Sequence, residues 1–361
     1  MSEWKEYKLG EICTELSDGL HKAPIFNESG DYIFVNAKNI SNGYIVDNDP
    51  ERKSTHDEYL KYSSPLNDTT ILYSIDGTIG NIALYRGEKC ILGKGACYIN
   101  PNPSIIDRLY LYYELQSPRF KGYIDRMSTG STIQHISLKT MRNYTFTSPS
   151  LTEQLRIASI LTSLDDKIDL LHRENATLEQ MAETLFRQWF VVEAKEEWEE
   201  GKLGDLIEVK YGKDHKKLLD GKIPVIGSGG ILRYADTALY DKESVLIPRK
   251  GSLNNVMYMN EPFWTVDTMF YTEMRRHNIA KFVFHFMKGQ DLANMNVGSA
   301  VPSMTTEVLN NVPIDIPPQE VFDKFENAVA SLYNKKEQNN KQIQTLIQIR
   351  DGLLPRLMSG K

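Results

Sequence analysis

Chemistry needs particular side chains at particular spacings, so the titratable and nucleophilic residues come first. The seven histidines, His21, His56, His135, His172, His215, His277 and His285, are scattered, and no pair has the HExxH spacing of a helical zinc site. The three cysteines, Cys13, Cys90 and Cys97, include no CxxC pair, so reduced thiols are expected rather than a disulfide framework or zinc site. "GSGGIL" (227–232) approaches a dinucleotide fingerprint, but Leu232 stands where the last Gly belongs and no strand–turn–helix setting surrounds it. No GxxxxGK[ST] phosphate loop is present, and no Asn/Asp-Pro-Pro-aromatic motif of an amino-methyltransferase. Glu51-Arg52-Lys53 has a nuclease-like acidic-x-Lys spacing without a convincing partner carboxylate. Asp165-Asp166 fall on a helical face where solvation is the simpler expectation. Catalytic chemistry is therefore not what these residues advertise.

What they do advertise is repetition. "TGSTIQHISLKTMRNYTFTSPSLTEQ" (129–154) aligns without a gap on "VGSAVPSMTTEVLNNVPIDIPPQEVF" (297–322), at an offset of 168. "EWKEYKLGEI" (3–12) returns as "EWEEGKLGDL" (197–206), and "ILYSIDGTIGNIALY" (71–85) as "VLIPRKGSLNNVMYM" (245–259). Self-similarity at this period means a duplicated domain-plus-helix unit, not a solenoid of short repeats.

Each copy opens with a β-rich body: "DYIFVN", "TTILYS", "NIALY", "SVLIP" and "NVMYM" are short β-branched or aromatic runs between Gly, Asn, Asp and Pro. Short helices are expected at 106–117 and 278–288. A long helix closes each copy. Ser150 and Glu153 have capping-box spacing, and Pro318 suits a first helical position. The first seam is Leu161, Leu164, Ile168, Leu171, Asn175, Leu178 and Leu185. The second is Val329, Leu332, Asn339, Ile343, Leu346, Leu353 and Leu357, with Lys336 as a further polar interruption. This is a coiled-coil rhythm, and each helix could run about 36 residues, roughly 54 Å. Neither seam can stay in water, so the two are expected to pair within the chain, antiparallel, with the polar seam residues fixing register. The fold class is thus α+β: two pseudo-symmetric domains separated by an antiparallel pair of long helices. The expected boundaries are 1–148, 149–192 for the first helical region, 193–316, and 317–361 for the second.

Composition fits this picture. The chain has 361 residues, is 41% hydrophobic and 25% charged, and carries a net charge of −6. It has no run of the roughly 18 apolar residues that a membrane helix needs, and "MSEWKEYKLG" lacks the apolar core of a signal peptide, so a cytoplasmic protein is expected. The net charge argues against coating nucleic acid through charge alone and allows local basic patches.

The whole order resembles the specificity subunit of type I restriction-modification systems. The resemblance covers nearly the full chain. It is carried by 150–191, by the closing "LIQIRDGLLPRLMSGK" (346–361), by 247–271, and by "SIDGTIGNIALY" (74–85) and "VIGSGGI" (225–231). "PPQEVFDKF" departs from it, lacking the Glu-Gln pair of "TEQLRI" (152–157). The resemblance implies that each body is a target recognition domain reading half of a split, asymmetric DNA site. It implies that the helices set the spacer and dock two modification subunits. Those partners would carry S-adenosylmethionine and methylate adenine, while restriction subunits would supply ATP-driven translocation and cleavage. This chain would hold no cofactor, no metal and no catalytic residue.

On that reading, base edges call for Arg or Lys at guanine and Asn or Gln at adenine, and phosphates call for cations, hydroxyls and free amides. The candidates in the first domain are His21, Lys22, Lys38, Asn39, Ser74, Thr78, Gln134 and His135. In the second they are Lys213, Lys216 and Lys217 of "KYGKDHKK", with Ser228, Arg233, Arg249, Lys250 and Ser252. Gly77, Gly130, Gly251 and Gly298 read equally well as turn formers, with Ser131 and Ser299 bonding locally. Trp189 and Phe190 read as core or as part of a docking surface. Two other functions stay open: a self-contained methyltransferase or nuclease with an unrecognised motif, and a scaffold joining two proteins.

Overall fold

The computed structural model describes residues 4–49, 51–128, 134–295 and 303–360. The chain divides into two compact units, 1–171 with 341–361, and 172–340. Each contains a β-rich body and a stretch of both long helices.

In the first unit four antiparallel strands run in the order Cys13–Asp18, Ala96–Pro101, Ile71–Ser74, Ile82–Leu84. The middle strands are buried on both faces, which is why they read as continuous apolar runs. Ile71, Tyr73, Cys97 and Ile99 face one core, and Leu72, Ala96 and Tyr98 face another. Helices Arg108–Glu114 and Pro118–Met127 add to the first core, and their caps are legible: Asp107 accepts from the Tyr110 amide and Ser117 from that of Phe120. Tyr32–Val35 joins Cys90–Leu92 in parallel over the second core.

The second unit repeats this plan strand for strand, in the order Ile207–Tyr211, Met269–Met274, Ser244–Pro248, Met257–Met259. Register repeats too. Ile71 stands opposite Leu84, and Val245 opposite Tyr258. Ala96 stands opposite Ser74, and Met269 opposite Pro248. Lys5 faces Ser148, and Glu199 faces Ile316. A one-residue slip would turn every side chain to the wrong face, so equal register means equal side-chain direction in both copies. Among the described residues, helix His56–Tyr62 belongs to the longer first body. "GSGGIL" is a β-hairpin tip with Gly227 facing Gly230, which removes the nucleotide-loop setting.

The long helices are Leu151–Arg187 and Gln319–Leu357. In the first unit Asp165 accepts from Arg350 at 2.9 Å, and Ile168 and Leu171 cluster with Ile343, Leu346 and Ile347. In the second, Asn175 meets Asn339 at 2.9 Å and Glu179 takes Lys336. Within each unit, positions advance along one helix as they fall along the other, so the pairing is antiparallel. Several expectations need correction. Leu161, Leu353 and Leu357 pack into the first unit's globular core, and Leu185, Val329 and Leu332 into the second's, so those seam positions close on domains. Leu164 and Leu178 are half-buried, while Ile157, Ala182, Phe186, Phe322 and Phe325 are buried. Glu153 does not close a capping box: Arg156 takes its carboxylate at 2.6 and 2.8 Å. The buried neighbour Gln154 anchors the helix instead, accepting from the Asp107 amide and donating to Ile105 and Pro149 carbonyls. Pro318 precedes the first turn, its carbonyl accepting from Val321. Asp165 is no solvated acid, since Tyr113 donates to it at 2.8 Å beside Arg350.

Candidate nucleic-acid interface

Strand pairing leaves a loop, Ile75–Asn81, between Ile71–Ser74 and Ile82–Leu84 in the first unit. Two outside segments pin it. The Ile75 amide donates to Gly95 and the Ile136 amide to Ile75, both at 2.9 Å, and Asp76 bridges His135. Gly77 then takes φ +72°, and a Cβ there would meet nothing within 4 Å, so the turn presents open backbone. The loop walls an open cleft of about 990 Å³ that gathers His21, Lys38, Thr78 and His135. Asp18, Asp76, Lys94 and Ser137 also line it. His21 pairs with Asp18 at 3.0 Å, and Asp76 lies 3.7 Å from Lys94 and 3.9 Å from His135.

Not every expected residue reaches this surface. Asn39 is buried at 2% exposure: it donates to the Val46 carbonyl and to Asn48, and accepts from the Asn36 amide. It holds its own turn and is not available to a base. Ser74 is also buried, donating to the Thr78 carbonyl and accepting from the Asn81 amide, so it ties the loop shut. Lys22 and Gln134 are exposed outside the cleft lining. Gly130, Ser131, Gly298 and Ser299 lie outside the described residues.

The second unit builds the equivalent loop, Arg249–Val256, the same way. The Arg249 amide donates to Thr268 at 2.9 Å, the Met304 amide to Arg249 at 2.8 Å, and Lys250 bridges Ser303. Gly251 takes φ +83°, and its missing Cβ would lie 3.0 Å from the Ser228 hydroxyl. Asn255 donates to the Ser228 carbonyl, so Ser228, Gly251, exposed Ser252 and Asn255 form one surface. The Arg249 guanidinium is held locally, 5.3 Å over the Tyr211 ring and donating to the Asp267 carbonyl. Lys213 is exposed, its backbone tied to Thr265 and Trp264, and Lys216 and Lys217 are exposed beyond it. Arg233 is half-buried, donating to Asp220 at 2.8 Å and to the Leu218 carbonyl, which binds the hairpin to that loop. Asp76, Lys94 and Tyr211 were missed. Aligning the two copies on their strands and asking where polarity differs is the signal that finds the first two.

A second cavity, about 530 Å³ and confined to the second unit, is lined by Phe186, Phe190, Val191, Phe282, His285 and Lys288 among others. Trp189 and Phe190 are half-buried against Phe325 and Phe282. Burial, helped by the Lys288 charge, pushes His285 down to about 4. Cys13, Cys90 and Cys97 are free thiols, and burial pushes Cys13 and Cys90 up to about 12. Among the described residues no three His, Cys, Asp or Glu side chains converge as a metal site would require, and no helix is long and apolar enough to cross a membrane.

Comparison with known proteins agrees with the duplicated plan. The family described as Type I restriction modification DNA specificity domain matches residues 1–180 and again 195–348. The MjaIX type I restriction enzyme specificity subunit of Methanocaldococcus jannaschii is 25% identical over 409 residues, covering 99% of this chain and 93% of that one. The HindI specificity subunit of Haemophilus influenzae is 29% identical over 196 residues, 53% of this chain and 41% of its own. The solved S subunit of a type I restriction-modification system from M. genitalium shares the fold, with a TM-score of 0.58 at 20% identity over 99% of this chain and 96% of that one. Two matched segments, each spanning one register-equivalent body and its helix, place this chain in the type I restriction-modification DNA specificity family.

Proposed function

We infer that this chain is the DNA-sequence-specificity subunit of a type I restriction-modification complex, with each body reading one half of a bipartite, asymmetric site. The observation that carries this is the pinned loop built twice in one register with different side chains. One scaffold with two chemistries is what reading two different half-sites requires. Paired helices are suited to holding the halves a set distance apart, which fixes a spacing on the DNA and makes the second contact intramolecular.

On this reading the chain contributes recognition and no catalytic group. Two modification subunits bring S-adenosylmethionine and methylate adenine, restriction subunits bring ATP-driven translocation and cleavage, and the assembly works in the cytoplasm. Val191 and Val192, 62% and 70% exposed beside the aromatic groove of the second unit, are apolar surface of the kind a partner subunit covers.

The test is to assemble the chain with its modification subunits, expose a random-sequence DNA pool, and map the methylated adenines. A split sequence with a fixed gap is the expected result. Absence of any split motif, or methyl transfer from labelled S-adenosylmethionine by the pure chain alone, overturns the reading.

A further inference from the structure

The two pinned loops can be compared residue for residue, because strand register and three bridging contacts coincide. Ile75 and Arg249 make the same pair of backbone bonds, so Asp76 and Lys250, each next in sequence and each in a bridge, occupy one position. Gly95 and Thr268 accept the equivalent amide, so the residues before them, Lys94 and Asp267, also correspond. Both positions carry opposite charge in the two copies. The acid of the first unit's loop stands beside a lysine, and the lysine of the second unit's loop corresponds to that acid.

Drift on a solvated surface scatters charges. Here the sign reverses at two adjacent positions, on a backbone that holds the side chains in the same direction. The hydrogen-bonding capacity reverses with it. A carboxylate only accepts and an ammonium only donates. In the major groove the cytosine N4 amine is a donor, and guanine O6 and N7 are acceptors.

We propose that Asp76 and Lys250 are the specificity-determining residues at one equivalent base position of each half-site, Asp76 selecting cytosine through N4 and Lys250 selecting guanine through O6 and N7. This rests on the DNA-reading role above. The surroundings fit each part. Lys94 and His135 stand 3.7 and 3.9 Å from Asp76, beyond hydrogen-bond reach. The Lys94 charge offsets the repulsion between an acid and DNA phosphates, and neither neighbour occupies the carboxylate's acceptor positions. At 3.7 Å, with the lysine exposed and the acid half-buried, the pair is weak, so the carboxylate turns to a base at little cost. In the second unit Arg249 is held against Tyr211 and the Asp267 carbonyl, whereas no ion pair engages Lys250 among the described residues. The glycine that follows each residue, at positive φ, lets the backbone come close to the groove.

The experiment is methylation mapping with the assembled complex carrying Lys250→Gln, Lys250→Arg or Asp76→Asn. Lys250→Gln is expected to lose the preference for a single guanine of one half-site, by roughly ten- to a hundredfold, and to move that position toward adenine, with the other half-site unchanged. Lys250→Arg keeps the donors and is expected to retain guanine. Asp76→Asn gains a donor beside its acceptor and is expected to move a single cytosine of the other half-site toward adenine. An unchanged motif, or a uniform loss of binding with the salt slope reduced by about one, makes these phosphate contacts and overturns the proposal. A wild-type complex without a split motif overturns the DNA-reading role instead.

Discussion

Burial decides what a polar residue does. Asn39 has the side chain of an adenine reader, but its amide is spent on Val46, Asn48 and Asn36. Asn39→Ala is expected to cost roughly 1–3 kcal/mol in a urea titration, by leaving buried partners unsatisfied, and to leave base preference untouched. A changed recognition sequence at full stability would reverse that assignment. His285 is the counterpart in the second unit, 3% exposed with Nε2 3.0 Å from the Tyr333 hydroxyl. Its ordinary value of 6.5 falls to about 4, through burial first and Lys288 second. The unfolded chain therefore takes up a proton below about 6.5 that the folded chain refuses until about 4. The stability this histidine allows is complete above that window and is lost as pH falls through it. Urea midpoints measured across the window should show the loss in the wild type and a flatter profile in His285→Phe. Equal slopes in both proteins would remove His285 as the cause.

At the scale of elements, the helix pair is uneven. Asn175 and Asn339 bond to each other in the second unit, and Asn340 and Glu174 complete the set. At the repeat offset of 168 their counterparts are Ile343 and Leu171, which pack as apolar neighbours in the first unit. A polar pair on one side only is a register device, because any slide would bury amides against aliphatic side chains. Asn339→Ile alone should lower stability by roughly 1–3 kcal/mol, since Asn175 loses its partner, and adding Asn175→Leu should recover most of it. Simple additivity of the two losses in a double-mutant cycle would show that the amides do not act as a pair. The 3–4 rhythm announced both helices, but not where their seams end. Ala182 and Phe186 bury because the body of the second unit covers them, and Leu353 and Leu357 because that of the first does. Periodicity records that a face is covered, not by what.

At the scale of the molecule, the proposed function makes helix length a ruler. Adding seven residues to each helix, after Leu171 and after Asn340, keeps both seams in phase. It lengthens each by about 10 Å, near three base-pair steps of DNA. Methylation mapping should then return the same half-sites with a gap wider by about three base pairs. An unchanged gap would mean that the helices do not set it. Adding the residues to one helix only should misalign the seams and abolish modification.

What the sequence by itself determined was the duplication, the β-rich bodies, the two long helices and their pairing. All of these follow from patterns that repeat along the chain and report local periodicity or burial. Only the tertiary structure decided which polar residues were spent. Asn39 and Ser74 looked as available as Lys38 and Thr78 until their own turns folded back and buried them, within ten residues of chain. It also decided that Asp76 and Lys250 hold one position. That equivalence is fixed by strand register and by the bridges to His135 and Ser303, contacts made between segments more than fifty residues apart.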